Sequence, residues 1–463
     1  MTSVKQGKGV RDLTRGNPYL LLLSFMLPIF LSQTFQQLYN TADALIVGKY
    51  LGTASFAAVT SSGPLIFLFT SFFIGAALGS GVVISRYFGE GDAENVSRSV
   101  HTTVALALVC GAFMTVAGVV TSPMILRWMN TDPAVIDDAV TYFRVYFCGS
   151  LAIIMYNFCR SIMNALGDSR RPLYYLIVSS LLNIFLDWLF IGVMHFGVGS
   201  AAFATVISQF VSVFLCLLHL FRPGEVYSLS LRKLRFDKTL LWEMVRYGVP
   251  AGVQNSVIGL ANVVVQSQIN SFGEFATAGY GAYTKIEGFA FLPITSFNMA
   301  ATTFVSQNLG AKEYERTKQG ALFSLIATPV LAEIVGIVVY VWAPQLIAVF
   351  DKTPEVIAYG AQEARIAALF YCLLAFSHAV ASVLRGAGKS VFPMIVMLAV
   401  WCVLRVIYIM LMMRLFGRIV FVYWAYPITW SISSVIYLIL YVRSDWIHGF
   451  DRMDASTAHP SKT

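Results

Sequence analysis

The sequence has little charge. Only 12% of its 463 residues are Asp, Glu, Lys or Arg, against roughly 25% in soluble domains. A disordered chain needs many charges and few apolar residues, so that class is excluded. Cysteine is scarce too. The six present (Cys110, Cys148, Cys159, Cys216, Cys372, Cys402) all sit in apolar stretches. Their spacing excludes a disulfide-stapled secreted domain and offers no metal site, and they read as small buried hydrophobes. No H-E-x-x-H, no G-x-S-x-G and no Cys/His cluster occurs, so no catalytic constellation is visible and no enzyme is expected. The stretch RGAGKS at 385–390 resembles the end of a nucleotide-binding loop, but Val383 stands where that loop needs glycine. Strands alternating over about 10 residues are absent, which excludes an outer-membrane barrel. No small-residue cleavage site follows the first apolar run, so that run reads as a retained span.

What is there is apolar length. The hydrophobic share is 57%, and several runs exceed the roughly 20 residues needed to cross a bilayer. Twelve segments can be marked: 18–43, 54–86, 96–122, 135–163, 172–194, 198–221, 240–271, 277–308, 317–343, 355–384, 392–414 and 420–442. The expected fold is an all-α membrane protein with twelve transmembrane helices.

Net charge is +8, from 32 Lys+Arg against 24 Asp+Glu. The excess follows the positive-inside rule and calls for no nucleic acid. With the N-terminus inside, the inner side gathers most of the basic residues. They include Lys5, Lys8, Arg11 and Arg15 at the start and a central group, Arg222, Arg232, Lys233, Arg235, Lys238 and Arg246. Arg443, Arg452 and Lys462 stand at the end. The outer side has only Lys49, Arg127, Lys352, Arg414 and Arg418. Both termini are expected in the cytoplasm, at a cell membrane crossed many times.

The longest polar stretch between spans, 222–239, falls mid-chain and reads as a cytoplasmic linker. It divides the chain into a 1–17 cytoplasmic segment, an N-lobe at 18–221, a C-lobe at 240–442 and a 443–463 tail. The lobes are repeats. At a shift of 221, residues 123–172 align without a gap to 344–393, matching at nine of 50 positions. The matches include Pro133/Pro354, Arg144/Arg365, Gly167/Gly388 and Pro172/Pro393. At shift 222, Pro28 meets Pro250. Six spans per repeat imply a parallel, pseudo-two-fold pair of six-helix lobes with a cleft that rocking exposes to each side in turn. Pro28, Pro64, Pro250 and Pro293, with GAALGSG at 75–81, suit bent or closely packed helices.

Charges inside spans cost roughly 2.5–3.5 kcal/mol on insertion scales, so they point to function. Asp43, Asp187, Glu287 and Glu333 are the acids well inside spans. Asp187 has no basic residue within ten positions, and Asn183 lies one turn before it on the same face. A desolvated carboxylate beside amide and hydroxyl oxygens suits a proton or a Na⁺ ion, and it also suits a buried network that only locks helices. Lys285 and Glu287 are two apart and do not face each other on a helix. Glu333 is expected to pair with Arg405 or Arg365. His378, at the repeat position of Asn157, is a proton relay or, more simply, a satisfied structural histidine.

In order and spacing, DLTRGNP, LPIFLSQTFQQLYNTADALIVGKYLG, ISRYFGEGDAENV, NALGDSRRPLYYLIVSSLLNIFLDWLFI and KIEGFAFLPITSFNMAATTFVSQNLGAKEYER resemble the multidrug and toxic compound extrusion (MATE) transporters, bacterial type, over about 12–443. The resemblance implies export of bulky, often cationic compounds by alternating access, in exchange for H⁺ or Na⁺, with no other cofactor. It implies an N-lobe cation pocket of Gln36, Asp43, Asn157, Asn183, Asp187 and Thr205, with Na⁺ an option at Asp43 and Asp187. It places a C-lobe site at Glu287, with His378 as a further C-lobe candidate, and finds no second acidic C-lobe ligand. Small-molecule substrates and the bilayer are the expected partners, with the monomer as the working unit. The alternative is a flippase for lipid-linked precursors or polysaccharides on the same two-lobed architecture. That reading favours a strongly basic cavity, whereas span interiors carry only Arg144, Lys285, Arg365 and Arg405.

Overall fold

A backbone inside hydrocarbon has no water to bond, so it must satisfy itself. The computed structural model of the protein describes residues 11–128 and 136–451, apart from the side chains of Ala44, residues 52–65 and Leu68. Lys5, Lys8, Pro133, Arg452 and Lys462 lie outside the described residues, as does the side chain of Pro64. Among the described residues there are helices and no strand. Ten helices are long and apolar enough to cross a membrane, and two bent pairs raise the number to twelve.

The first two spans, Pro18–Leu51 and Phe69–Glu90, are joined without a break in helical bonding from Pro18 to Glu90. A straight helix of that length would measure about 110 Å at 1.5 Å per residue. It is therefore two crossings and not one. The bent pairs are Ile136–Cys148 with Ser150–Ala165, turned by 47°, and Pro354–Ala368 with Tyr371–Gly386, turned by 53°.

The repeat seen in the sequence is repeated in detail. Ser150 and Tyr371 each open the second limb of a bent pair, and they stand 221 apart. Ser85 Oγ donates to the Ala165 carbonyl at 3.3 Å. Ser306 Oγ donates to the Gly386 carbonyl at 2.8 Å, again 221 residues on. Both limbs end in the same cap. Gly167 takes a φ of 83° and Gly388 a φ of 76°. The following amide reaches back five residues, Asp168 to Met163 at 2.9 Å and Lys389 to Leu384 at 2.8 Å. Only glycine enters that left-handed turn without strain, which explains its match in both halves.

The chain forms two compact units. One is built on Leu31–Gly252, the other on Leu13–Phe30 together with Val253 onward. The crossing points, after Phe30 and after Gly252, are 222 apart. They fall two residues past Pro28 and Pro250. In the first unit, Phe143, Phe147, Tyr156 and Phe158 fill the core. There the start of Lys238–Asn270 lies against the second span through glycines. A Cβ on Gly75 would come within 2.2 Å of the Gly252 nitrogen, and one on Gly79 within 2.3 Å of the Gly248 nitrogen. In the second unit, large side chains occupy the matching contact. Phe25, Met26 and Ile29 pack with Phe297 and Phe304.

The cysteines depart from expectation in part. Cys159 and Cys216 are buried, but Cys148 is exposed and the other three are half-buried. A side chain turned toward lipid needs no burial against protein, so an apolar run alone does not fix burial.

The glycine contact gives the first prediction. Gly79→Ala and Gly75→Ala each force backbone apart and should destabilise the protein by about 1–3 kcal/mol. Gly281→Ala, where nothing lies within 4 Å, should leave stability unchanged. Thermal unfolding in detergent checks all three.

Candidate functional site

Three stripes of polar residues converge in the first unit. On the first span, Gln36, Tyr39 and Asp43 recur at helical spacing. On the fifth, Ser179, Ser180, Asn183 and Asp187 do so. On the sixth, Thr205, Ser208, Gln209 and Ser212 do so. Residues three and four apart share a face, so each helix presents one polar seam. The seams meet in a narrow crevice lined by Tyr39, Ser179, Ser180, Asn183, Thr205, Ser208 and Gln209. Asn183 Nδ2 donates to Thr205 Oγ1 at 3.4 Å. The Thr205 hydroxyl donates to the Ala201 carbonyl at 3.2 Å.

The carboxyl groups of Asp43 and Asp187 face each other. Asp187 is fully buried and Asp43 nearly so. Both carboxylate oxygens of Asp187, one of Asp43, and the side-chain carbonyls of Asn183 and Gln209 are buried without a hydrogen-bond partner. Five acceptors thus lack a donor. Buried acceptors in that state are costly, and a proton or a metal cation satisfies them. Asp187 closes the regular helix Arg170–Asp187, and the next six residues, Trp188–Val193, widen into π-helix. Such bulges re-aim side chains and cluster at functional places.

Gln36 and Gln209 lie beside the Tyr39 hydroxyl, and Tyr142 lies within electrostatic reach of both aspartates. Tyr39, Tyr142 and Gln209 were not singled out in the sequence, although the helical spacing of Tyr39 and Gln209 was readable there. Asn157 is not among the residues that line the crevice. Its Nδ2 is spent on the Ile153 carbonyl at 2.8 Å.

The second unit holds a different cluster. Tyr283 Oη donates to Glu287 Oε1 at 3.1 Å and lies 3.4 Å from Tyr371 Oη. Glu363 is fully buried with both carboxylate oxygens unpartnered and within electrostatic reach of Glu287. So five acids, not four, lie well inside spans, and the C-lobe has a second acid that the sequence reading did not find. Glu363 stands 221 residues after Tyr142, so the repeat puts an acid where the first unit has a tyrosine. Arg405 is buried beside them. It donates to Thr429 Oγ1 through Nε at 3.3 Å and Nη2 at 3.0 Å. Its guanidinium lies 4.4 Å from the centre of the Tyr426 ring.

Two further expectations are corrected. Glu333 pairs with neither Arg405 nor Arg365. Arg365 is exposed and Arg405 is engaged by Thr429. Glu333 instead accepts the Cys372 N–H at 3.0 Å, one residue into the second limb of the bent tenth span. A helix start has unpaired N–H groups and a positive dipole end, so an acid fits there. His378 is not a satisfied histidine. It is buried edge-on between Phe291 and Trp401, with ring centres 5.1 and 5.2 Å away, and its Nε2 has no partner.

Comparison with known proteins fits this geometry. The family described as MatE matches residues 28–189 and again 250–411, two copies 222 apart. The probable multidrug resistance protein YoeA of Bacillus subtilis is 29% identical over 385 residues, 81% of this chain and 83% of that one. The FAD transporter of Shewanella oneidensis is 23% identical, over 73% of this chain and 76% of that one. Among solved structures, MATE in complex with MaL6 superposes with a TM-score of 0.87 at 23% identity, covering 98% of this chain and all of that one.

The Glu333 contact yields a second prediction. Glu333→Gln keeps the shape but weakens a charge-assisted bond, and should lower stability by about 1 kcal/mol. Transport should be unchanged. Unfolding and substrate efflux measured on the same preparation check both halves of the statement.

Proposed function

The chain belongs to the MatE family, and we propose on that basis that it is a secondary active efflux antiporter that drives bulky organic compounds out of the cell with an inward cation gradient. The observation that carries this reading is the Asp43–Asp187 pair, two buried carboxyls within electrostatic reach of each other and, among the described residues, with no base beside them. Like charges repel, so the pair holds a proton or draws in a cation. The empty acceptors of Asn183 and Gln209 extend the set. Occupancy changes the charge shared by the first and fifth spans. It therefore favours one conformation of those helices over another, which is how a coupling ion drives transport.

We take H⁺ as the leading ion, because one proton shared by two neighbouring carboxyls relieves their repulsion without any further ligand. Na⁺ would need about five or six oxygens gathered round it. The C-lobe does not argue against Na⁺, since Glu287 and Glu363 give it two acids. Relatives named for multidrug resistance, and one named for FAD, support a large organic cargo. The working unit is a monomer in the cell membrane with both termini cytoplasmic, as the positive-inside count favours.

Two predictions test the reading. Asp43→Asn and Asp187→Asn should each abolish gradient-driven efflux at normal expression, while His378→Asn stays far milder. Drug accumulation in transporter-deficient cells measures this, and wild-type rates in both aspartate variants would remove the coupling role. Efflux in everted vesicles should run on an imposed pH gradient without Na⁺. An absolute Na⁺ requirement, with no response to the pH gradient, would reassign the aspartates as Na⁺ ligands.

A further inference from the structure

Four cations stand within seven residues between the sixth and seventh spans: Arg232, Lys233, Arg235 and Lys238. All are exposed, and among the described residues none has an ion-pair partner. The acids nearby are engaged. Asp237 is bonded by Arg98 and caps the seventh span through the N–H groups of Thr239 at 3.1 Å and Leu240 at 3.2 Å. Glu243 accepts the Tyr87 hydroxyl at 3.3 Å and lies 3.9 Å from Arg86.

The same stretch shows apolar surface. Leu231 is 72% exposed and Phe236 44%. One turn into the seventh span, Trp242 is 67% exposed, on the same face as Lys238 and Arg246. The tip is held at both ends on the third span. The Ser230 N–H donates to His101 Nε2 at 3.0 Å, and the Asp237 N–H donates to Thr102 Oγ1 at 3.2 Å. Tyr227 and Leu229 are buried beneath. A tethered turn thus presents Leu231, Arg232, Lys233, Arg235 and Phe236 outward.

A linker between two spans lies at the bilayer surface whichever way the protein is inserted. There, exposed Leu and Phe enter the acyl boundary, Trp belongs at headgroup level, and free cations meet lipid phosphates. The geometry points to a docking surface for anionic phospholipid headgroups, formed by Arg232, Lys233, Arg235 and Lys238 with Leu231 and Phe236 inserted beside them. A topology signal alone requires the cations but neither the exposed apolar pair nor the tethered tip.

The test uses the full-length protein in uncharged detergent, reading the midpoint of thermal unfolding. It is titrated with dioctanoyl phosphatidylglycerol, dioctanoyl phosphatidylcholine and inorganic phosphate. The anionic lipid should stabilise the wild type strongly, and salt should weaken the effect. In R232Q/K233Q/R235Q/K238Q the half-saturating concentration should rise at least about tenfold. L231S/F236S should weaken the response as well, and it carries the test if the charge variant fails to fold. R414Q/R418Q, with exposed cations removed elsewhere, should respond as wild type does. Equal stabilisation by phosphatidylcholine, an unchanged charge variant, or an equal loss in R414Q/R418Q would overturn the proposal. Stabilisation by phosphate alone would make this a free-anion site and overturn the lipid assignment.

Discussion

Hydrocarbon cannot accept or donate a hydrogen bond, and every other feature of this chain follows from that. It forces the backbone into helix, and it makes each departure from helix depend on a local partner. At the bend of the tenth span the loosened amide of Cys372 is taken by Glu333. Past Gly167 and Gly388 the chain turns back on its own carbonyls. The π-helical stretches at Trp188–Val193 and Leu398–Leu404 keep the bonding internal while shifting its register. One directly follows Asp187 and the other directly precedes Arg405.

The same constraint gives the buried acids their meaning. A carboxylate left in such surroundings without a donor is stable only when neutralised. The first unit gathers acceptors and, among the described residues, supplies no cation of its own to Asp43 and Asp187. The second supplies Arg405 within electrostatic reach of Glu287. The repeat therefore preserved the frame and not the chemistry. Tyr142 and Glu363 hold equivalent places, and so do Asn157 and His378.

Much of this was legible in the sequence. Lengths of apolar runs marked the spans, and a constant shift marked the repeat, because helix packing preserves spacing even when side chains change. Asp43, Asp187 and Asn183 announced themselves as polar residues inside apolar helices, whereas Thr205 came only with the family resemblance. Glu363 did not, since AYGAQEARIAA is polar enough to read as the end of a span. Glu333 was visible, but its partner is a backbone amide 39 residues away, and backbone donors leave no mark in a sequence. The lining of the crevice by Gln209 and Ser208 needed the sixth span's rotation relative to the fifth, which periodicity alone does not fix.

The exchange of helix beginnings has a consequence for ancestry. Residues 13–30 belong with the later half of the chain, and the stretch up to Gly252 belongs with the earlier half. A six-span ancestor built like one repeat would have had to place its opening helix on a second copy, as domain-swapped dimers do. Gene fusion would then have turned an exchange between molecules into one within a single chain. Two polypeptides cut at the central linker would each carry a segment whose packing partner is on the other piece. They would be expected to fold by co-assembly and not one at a time.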